Sequence, residues 1–215
     1  MNTAVHTEDR SLSPVPLLVS GDDWNVLTAI YDDDVNIAIA RQLLGGQELS
    51  AVVSALLNHP QTPSLRMSGS PQQCYDAIIN DLPHTSSLVV LAEAVKLLAE
   101  AFSTLFDLDK VGLRIDRLQR AMCPRFHVDH VPVRLLWTLA GPATEWLPEK
   151  ALDRSQLRGA GEPCTDTNMI QQIQAGDIAL IKGEAWEGNE GRGLVHRSPA
   201  LLPDEQRLVL TMDFA

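Results

Sequence analysis

The spacing of apolar residues changes character near Asp109. Before that point the stronger periodicities are helical. Leu49, Val52, Val53, Leu56 and Leu57 recur at steps of three and four, so Glu48 to Asn58 is predicted to be a helix with one buried side. The longest such segment is Ser86 to Phe106, where Leu91, Val95, Leu98, Phe102 and Leu105 face one way. Ser86 or Ser87 is placed to cap it, because a hydroxyl there accepts from an unpaired backbone N–H. Trp24 to Ile30 is expected to form a short helix. Val35 to Ile39 alternates instead and predicts a strand. Cys74 to Asn80 fits either period.

Beyond Asp109 the period shortens to two. Val111–Leu118, Phe126–Asp129, Arg134–Leu139, Asp177–Lys182, Gly193–His196 and Arg207–Asp213 read as strands. Pro124, Gly141-Pro142, Gly176-Asp177, Gly188-Asn189, Pro199 and Pro203 punctuate them. Short strands with such turns predict a sandwich or barrel. The expected fold is therefore α+β. A double-stranded β-helix (a cupin-like jelly roll) spans 110–215, and the mainly helical part, 21–109, packs on one of its sheets. Residues 21–215 form a single domain in this reading. Residues 1–20, polar and carrying Pro14 and Pro16, are expected to be a disordered tail. The polar stretch Pro148–Gln174 has the length of a lid or binding loop.

Composition narrows the function classes. The chain has 215 residues, is 45% hydrophobic and carries a formal net charge of −11. Phosphate contacts need clustered Lys and Arg, so nucleic acid and anionic membranes are disfavoured as partners. The densest basic spot is Arg114, Arg117, Arg120 and Arg125. There is no apolar run of bilayer length and no secretory leader pattern. Cys74, Cys123 and Cys164 are too few and too scattered for a disulfide framework, which points to the cytoplasm.

The chemistry concentrates at His127, Asp129 and His196. On a strand, residues i and i+2 share a face, so His127 and Asp129 would project side by side. His196 can join them from a distant strand. Two histidines and one carboxylate, with positions left open, are the facial triad of non-haem Fe(II) oxygenases. Such mixed ligation also suits Mn(II), Co(II) or Zn(II). Arg207 follows His196 after ten residues. That is the spacing at which 2-oxoglutarate oxygenases commonly place the Arg that pairs with the cosubstrate's far carboxylate, and a planar fork suits that role. Val209 stands where many of those enzymes have Ser or Thr. Arg134 is a second candidate carboxylate anchor. Arg197, on the opposite parity to His196, is expected in a structural ion pair. A rival set, Cys123, His127 and His130, would favour zinc, but the three-residue step from His127 to His130 puts them on opposite strand faces.

These residues also carry a family resemblance. Cys-Pro-Arg-Phe-His-Val-Asp-His at 123–130, Arg-Leu-Leu at 134–136, Gly-Pro-Ala-Thr-Glu-Trp-Leu at 141–147, Gly-Asp-Ile-Ala-Leu-Ile-Lys-Gly at 176–183 and Val-His-Arg-Ser-Pro at 195–199 resemble domain of unknown function family 1826. That family is mainly proteobacterial. The resemblance covers most of the chain and implies no established activity. Its association with zinc-homeostasis genes keeps a non-catalytic zinc-binding role as the alternative. Similarity to Fe(II)/2-oxoglutarate oxygenases is more distant and rests on ligand pattern and strand order. The reading is thus an Fe(II)/2-oxoglutarate-dependent dioxygenase whose substrate the sequence does not name. A cupin-like enzyme that uses the same ligands without 2-oxoglutarate is a third option.

Overall fold

A computed structural model describes residues 17–159 and 161–215. Its strands, in chain order, are β1 (Leu17–Gly21), β2 (Val35–Ala40), β3 (Ser64–Gly69), β4 (Val111–Leu118), β5 (Val133–Ala140), β6 (Glu145–Trp146), β7 (Gln171–Gln172), β8 (Ile178–Lys182), β9 (His196–Arg197) and β10 (Arg207–Phe214). Seven form a large sheet in the order β1-β2-β8-β5-β10-β4-β3, and three form a small sheet, β7-β6-β9. Only the β1–β2 pairing is parallel within the large sheet.

Strand alternation sorts the large sheet into two working faces. On β10, Leu208, Leu210 and Met212 join Leu113 and Ile115 of β4 and Leu135 and Trp137 of β5. This face is covered by α1 (Gln47–Asn58), α2 (Pro71–Asp81) and α3 (Leu88–Phe106) through Val52, Leu56, Ile78, Leu91, Leu98 and Phe102. Each of those side chains, fully withdrawn from water, contributes on the order of 1.5–3 kcal/mol. The other face carries Ile37, Ile39, Leu136, Ala179 and Ile181, which pack against Trp146, Ile173 and Leu194 beside the small sheet. Helices, large sheet and small sheet are thus three layers, and the chemistry-bearing residues fall between the two sheets.

Several expectations change. Leu17–Ser20, expected as tail, belong to β1 and pair with β2; residues 1–16 of the expected tail lie outside the described residues. The first half is not simply helical, because β1, β2 and β3 extend both flanks of the large sheet. Cys74–Asn80 is helical within α2. Ser70 and Gln73 form a reciprocal capping box and Pro71 takes the first turn, a start signal that was present in the sequence. Ser87 is the N-cap of α3, yet with φ 63° it holds left-handed backbone and makes no side-chain cap bond. Phe126–Asp129 is not a strand: its pairing is one isolated bridge, His127 to His196. Pro124 and Pro132 flank it, and neither has an N–H to extend a ladder. Pairing in the second half of the expected Gly193–His196 strand shifts to His196–Arg197. No helix among the described residues is long and apolar enough to cross a membrane.

Arg117 ties this framework together. Its Nη1 donates to the carbonyls of Leu56, Leu57 and His59 at 3.2, 2.7 and 2.7 Å, closing the C-terminal turn of α1, where the last carbonyls of a helix lack partners four residues on. Arg117→Ala is expected to cost about 1–2 kcal/mol and lower the melting temperature by a few degrees in a thermal scan. A second expectation concerns thiols. Cys74 is fully buried and its pKa is pushed up to about 11 by burial, whereas Cys123 is exposed. A thiolate reagent at pH 8 should modify Cys123 readily and Cys74 only after unfolding; peptide mapping of the labelled protein checks this.

Candidate metal centre

His127, Asp129 and His196 converge. One ligand atom from each can be chosen so that all lie within 4.8 Å of one another. Asp129 Oδ1 is 3.8 Å from His127 Nε2, and Oδ2 is 3.4 Å from His196 Nε2. The reason lies in the backbone: His127 and His196 exchange both N–H···O bonds, at 3.0 and 2.9 Å, so the two rings stand side by side, 4.6 Å apart. The predicted juxtaposition of His127 and Asp129 therefore holds without the predicted strand.

Both rings have their outer nitrogen engaged. Nδ1 of His127 donates to the Arg125 carbonyl and Nδ1 of His196 to the Leu194 carbonyl, each at 2.9 Å. That leaves each Nε2 facing the centre, where it can give its lone pair to an ion once it carries no proton. Burial, then the neighbouring His196 charge, pushes the His127 pKa below its ordinary value. Burial alone would raise the Asp129 carboxyl. The hydrogen bond and charge of His196, with Arg134 and His127, outweigh this and hold it at about 2. At neutral pH the Asp129 carboxyl is therefore ionised and supplies the cluster's anionic oxygen.

Asp129 sits on a loop that is held from outside. Its carbonyl accepts from Glu184 N at 2.9 Å, and Gly183 N donates to the Pro132 carbonyl at 2.9 Å. The loop lies so close to Gly183 that a Cβ there would fall 2.1 Å from the Val131 carbonyl oxygen and 2.7 Å from that of Asp129.

Arg134 does not serve as a free carboxylate anchor. Its Nε and Nη2 donate to Asp213 Oδ1 and Oδ2 at 2.7 and 2.9 Å, and Nη1 donates to Asp129 Oδ2 at 2.7 Å. Two resident carboxylates occupy the fork. Cys123 and His130 stay outside the ligand cluster; both are exposed, and the only group with metal-binding geometry among the described residues is His127, Asp129 and His196. Arg197 takes the expected ion pair, donating to Glu145 at 2.7 Å and lying 4.1 Å over the Phe126 ring.

Arg207 behaves differently from Arg134. Arg207, Val209 and Thr211 face the space between the sheets and line one cavity with His127 and His196. The side chain is only 3% exposed. Its partners are hydroxyls: Thr144 Oγ1 at 2.9 Å, Thr138 Oγ1 at 3.3 Å and Ser198 Oγ at 3.4 Å. No carboxylate pairs with it among the described residues, and its buried Nε has no hydrogen-bond partner. Burial pulls its pKa down to about 10, so it is still charged at neutral pH. Thr138, Thr144 and Ser198 were not anticipated as part of the site. Strand parity offered a hint for Thr138, which shares a face with Leu136; Thr144 and Ser198 come from separate elements.

On its other side His127 borders an open groove of about 540 Å³, with His130, Arg154, Ser155, Arg158 and Glu184 on its walls. Arg154, Ser155, Leu157 and Arg158, from the long polar segment after Pro148, form one wall. Arg154 anchors it, pairing with Glu149 and donating at 3.1 Å to the carbonyls of Arg192 and Gly193.

Comparison with known proteins follows the same lines. A family model described as a protein of unknown function, DUF1826, matches residues 21–213. The chain belongs to the DUF1826 family. No curated protein matches it significantly in sequence. Among solved structures, this DUF1826 chain is similar to the dioxygenase for auxin oxidation of rice, with TM-score 0.58 and 15% identity over 93% of this chain and 82% of that one. It is also similar to JOX2, solved in complex with 2OG, Fe and JA, with TM-score 0.54 and 10% identity over 93% of this chain and 74% of that one. At such identities the DUF1826 chain shares their fold, and its function has to be argued from its own site.

Proposed function

We propose that this protein is an Fe(II)- and 2-oxoglutarate-dependent oxygenase, with His127, Asp129 and His196 as metal ligands and Arg207 as the cosubstrate anchor. The observation that carries the reading is the buried Arg207 guanidinium, charged and without a carboxylate, in the cavity that His196 and His127 also line. A buried charge is costly unless paired. A divalent ion on two neutral imidazoles and one carboxylate keeps a net charge of +1. A dicarboxylate lying between that centre and Arg207 satisfies both ends at once, and 2-oxoglutarate has the chelating 2-oxo acid at one end and a plain carboxylate at the other. Similarity of fold to the rice dioxygenase and to JOX2, which binds 2OG and Fe, supports the assignment. The two sheets would then be the walls of a double-stranded β-helix, with residues 21–215 acting as one domain.

When bound, Fe(II) and 2-oxoglutarate supply oxidative decarboxylation of the cosubstrate coupled to oxidation of a second substrate. The protein's own residues do the rest. Nδ1 hydrogen bonds hold both imidazoles in register. Thr138, Thr144 and Ser198 fix the plane of the Arg207 fork, so that its remaining N–H groups meet a carboxylate without reorganisation. Leu136 and Val209, on the cavity wall, would keep water from a bound cosubstrate. The groove beyond His127 is the side from which the second substrate reaches the metal. A nitrogen–oxygen donor set without cysteine gives no support to a thiolate zinc centre, and three unpaired thiols suit a cytoplasmic setting.

The test is an anaerobic titration of the purified protein with Fe(II) and 2-oxoglutarate. A visible absorption band that requires both components is the expected result. Tight metal binding with no spectral or calorimetric response to 2-oxoglutarate would overturn the cosubstrate assignment.

A further inference from the structure

The geometry points to Arg134 and Asp213 as a positioning pair for the metal ligand Asp129, one that sets metal affinity and coordination without touching the ion. This rests on the proposal that His127, Asp129 and His196 bind a metal.

The argument begins with the sheet. β5 and β10 are hydrogen-bonded neighbours, and the pairing of Leu135 with Met212 places Arg134 beside Asp213. The fork lies side-on to Asp213, with bonds of 2.7 and 2.9 Å, an arrangement that fixes the guanidinium plane. Its remaining arm reaches Asp129 Oδ2 at 2.7 Å. Asp129 itself belongs to a segment with a single bridge of backbone pairing, at His127. The rigid large sheet thus reaches across and fixes a carboxylate side chain whose own loop is tied only through its backbone. All three groups are well shielded, at 13%, 26% and 28% side-chain exposure for Asp129, Arg134 and Asp213.

Two consequences follow for the ligand. Arg134 engages Oδ2, so Asp129 presents Oδ1 as a single donor. With two imidazoles, one-oxygen ligation leaves three positions on a six-coordinate ion, whereas two-oxygen ligation would leave two. Three are needed for a two-point chelator plus one further ligand. Asp213 meanwhile balances the guanidinium charge. Without it, Arg134 would draw electron density from Asp129 and weaken its donation to the ion.

The experiment uses the full chain and Co(II), whose visible d–d bands report affinity and coordination number without turnover. Arg134→Gln is expected to weaken Co(II) binding roughly 10–100-fold, the range for groups that orient metal ligands. Its saturated spectrum should also shift from the parent's, because Oδ2, released from Arg134, is then free to enter the coordination sphere. Arg134→Lys should recover only part of the affinity, because a point charge cannot span both carboxylates. Asp213→Asn should weaken binding too, and Arg134→Gln/Asp213→Asn should be no worse than Arg134→Gln alone, since the residues act as one unit. Arg117→Ala, remote from the centre, controls for general destabilisation and should leave both affinity and spectrum unchanged. If Arg134→Gln fails to fold, Arg134→Lys and Asp213→Asn carry the test. Parent protein that binds Co(II) while these variants match it within twofold overturns the positioning role alone. Parent protein that does not bind Co(II) overturns the metal site and this inference together.

Discussion

Asp129→Ala is expected to weaken binding of Fe(II) or Co(II) by roughly 100-fold or more, beyond the loss from any residue that only orients a ligand. Three effects add. The site loses its one anionic donor, so the bound ion keeps its full charge in a buried setting. The remaining imidazoles span only two positions. Arg134, no longer facing a carboxylate on that side, turns an unpaired N–H toward the ion. The fold should survive, because the helix-side core of β4, β5 and β10 is separate from this cluster, and Asp213 still pairs with Arg134. Isothermal titration with Co(II), beside a far-UV circular dichroism spectrum matching the parent, measures both parts. An Asp129→Ala protein that binds Co(II) as tightly as the parent would remove the triad from consideration.

Arg207→Lys is expected to weaken 2-oxoglutarate binding about 10–100-fold while leaving the Co(II) dissociation constant within about twofold. The buried guanidinium spreads its N–H groups over Thr138, Thr144 and Ser198 and keeps others for a ligand. A lysine offers one ammonium, which cannot hold those hydroxyls and a carboxylate in the same plane. Its burial would also favour the neutral amine more strongly than burial favours neutral Arg. Titrating 2-oxoglutarate into Co(II)-loaded parent and variant separates cosubstrate from metal effects. Equal cosubstrate affinity in the two proteins would mean that Arg207 anchors nothing, and the buried charge would need another partner.

The regular elements were largely legible because they are long relative to their period. α3 and β10 each carry several consecutive repeats of their pattern; parity groups Arg207, Val209 and Thr211 on one face of β10, and the structure shows that this face lines the cavity. The small sheet was poorly legible for the opposite reason. Its strands are two residues long, shorter than any alternation can be recognised, and Phe126–Asp129 mimicked a strand while making one bridge. His127, Asp129 and His196 nevertheless come together, although the strand that predicts their juxtaposition is absent; their residue types and the rarity of the pattern also point to them. The role of Arg134 was not readable. An inward-facing arginine invites an external carboxylate, and only the three-dimensional structure brings Asp213, 79 residues away, to the same guanidinium. Thr138, Thr144 and Ser198 share that difficulty: hydroxyls are common, and nothing in the sequence says which of them meet.

The contact at Gly183 bears on how such a site can drift over time. A lost ligand can be replaced by another donor, and groove residues such as His130 or Arg158 can vary with the substrate. Gly183 has no such latitude, because the carbonyls of Asp129 and Val131 occupy the space where any side chain would begin. Chains that keep this loop against β8 are therefore bound to keep a glycine there, and a sequence that has lost it has lost the arrangement that brings Asp129 to the two histidines.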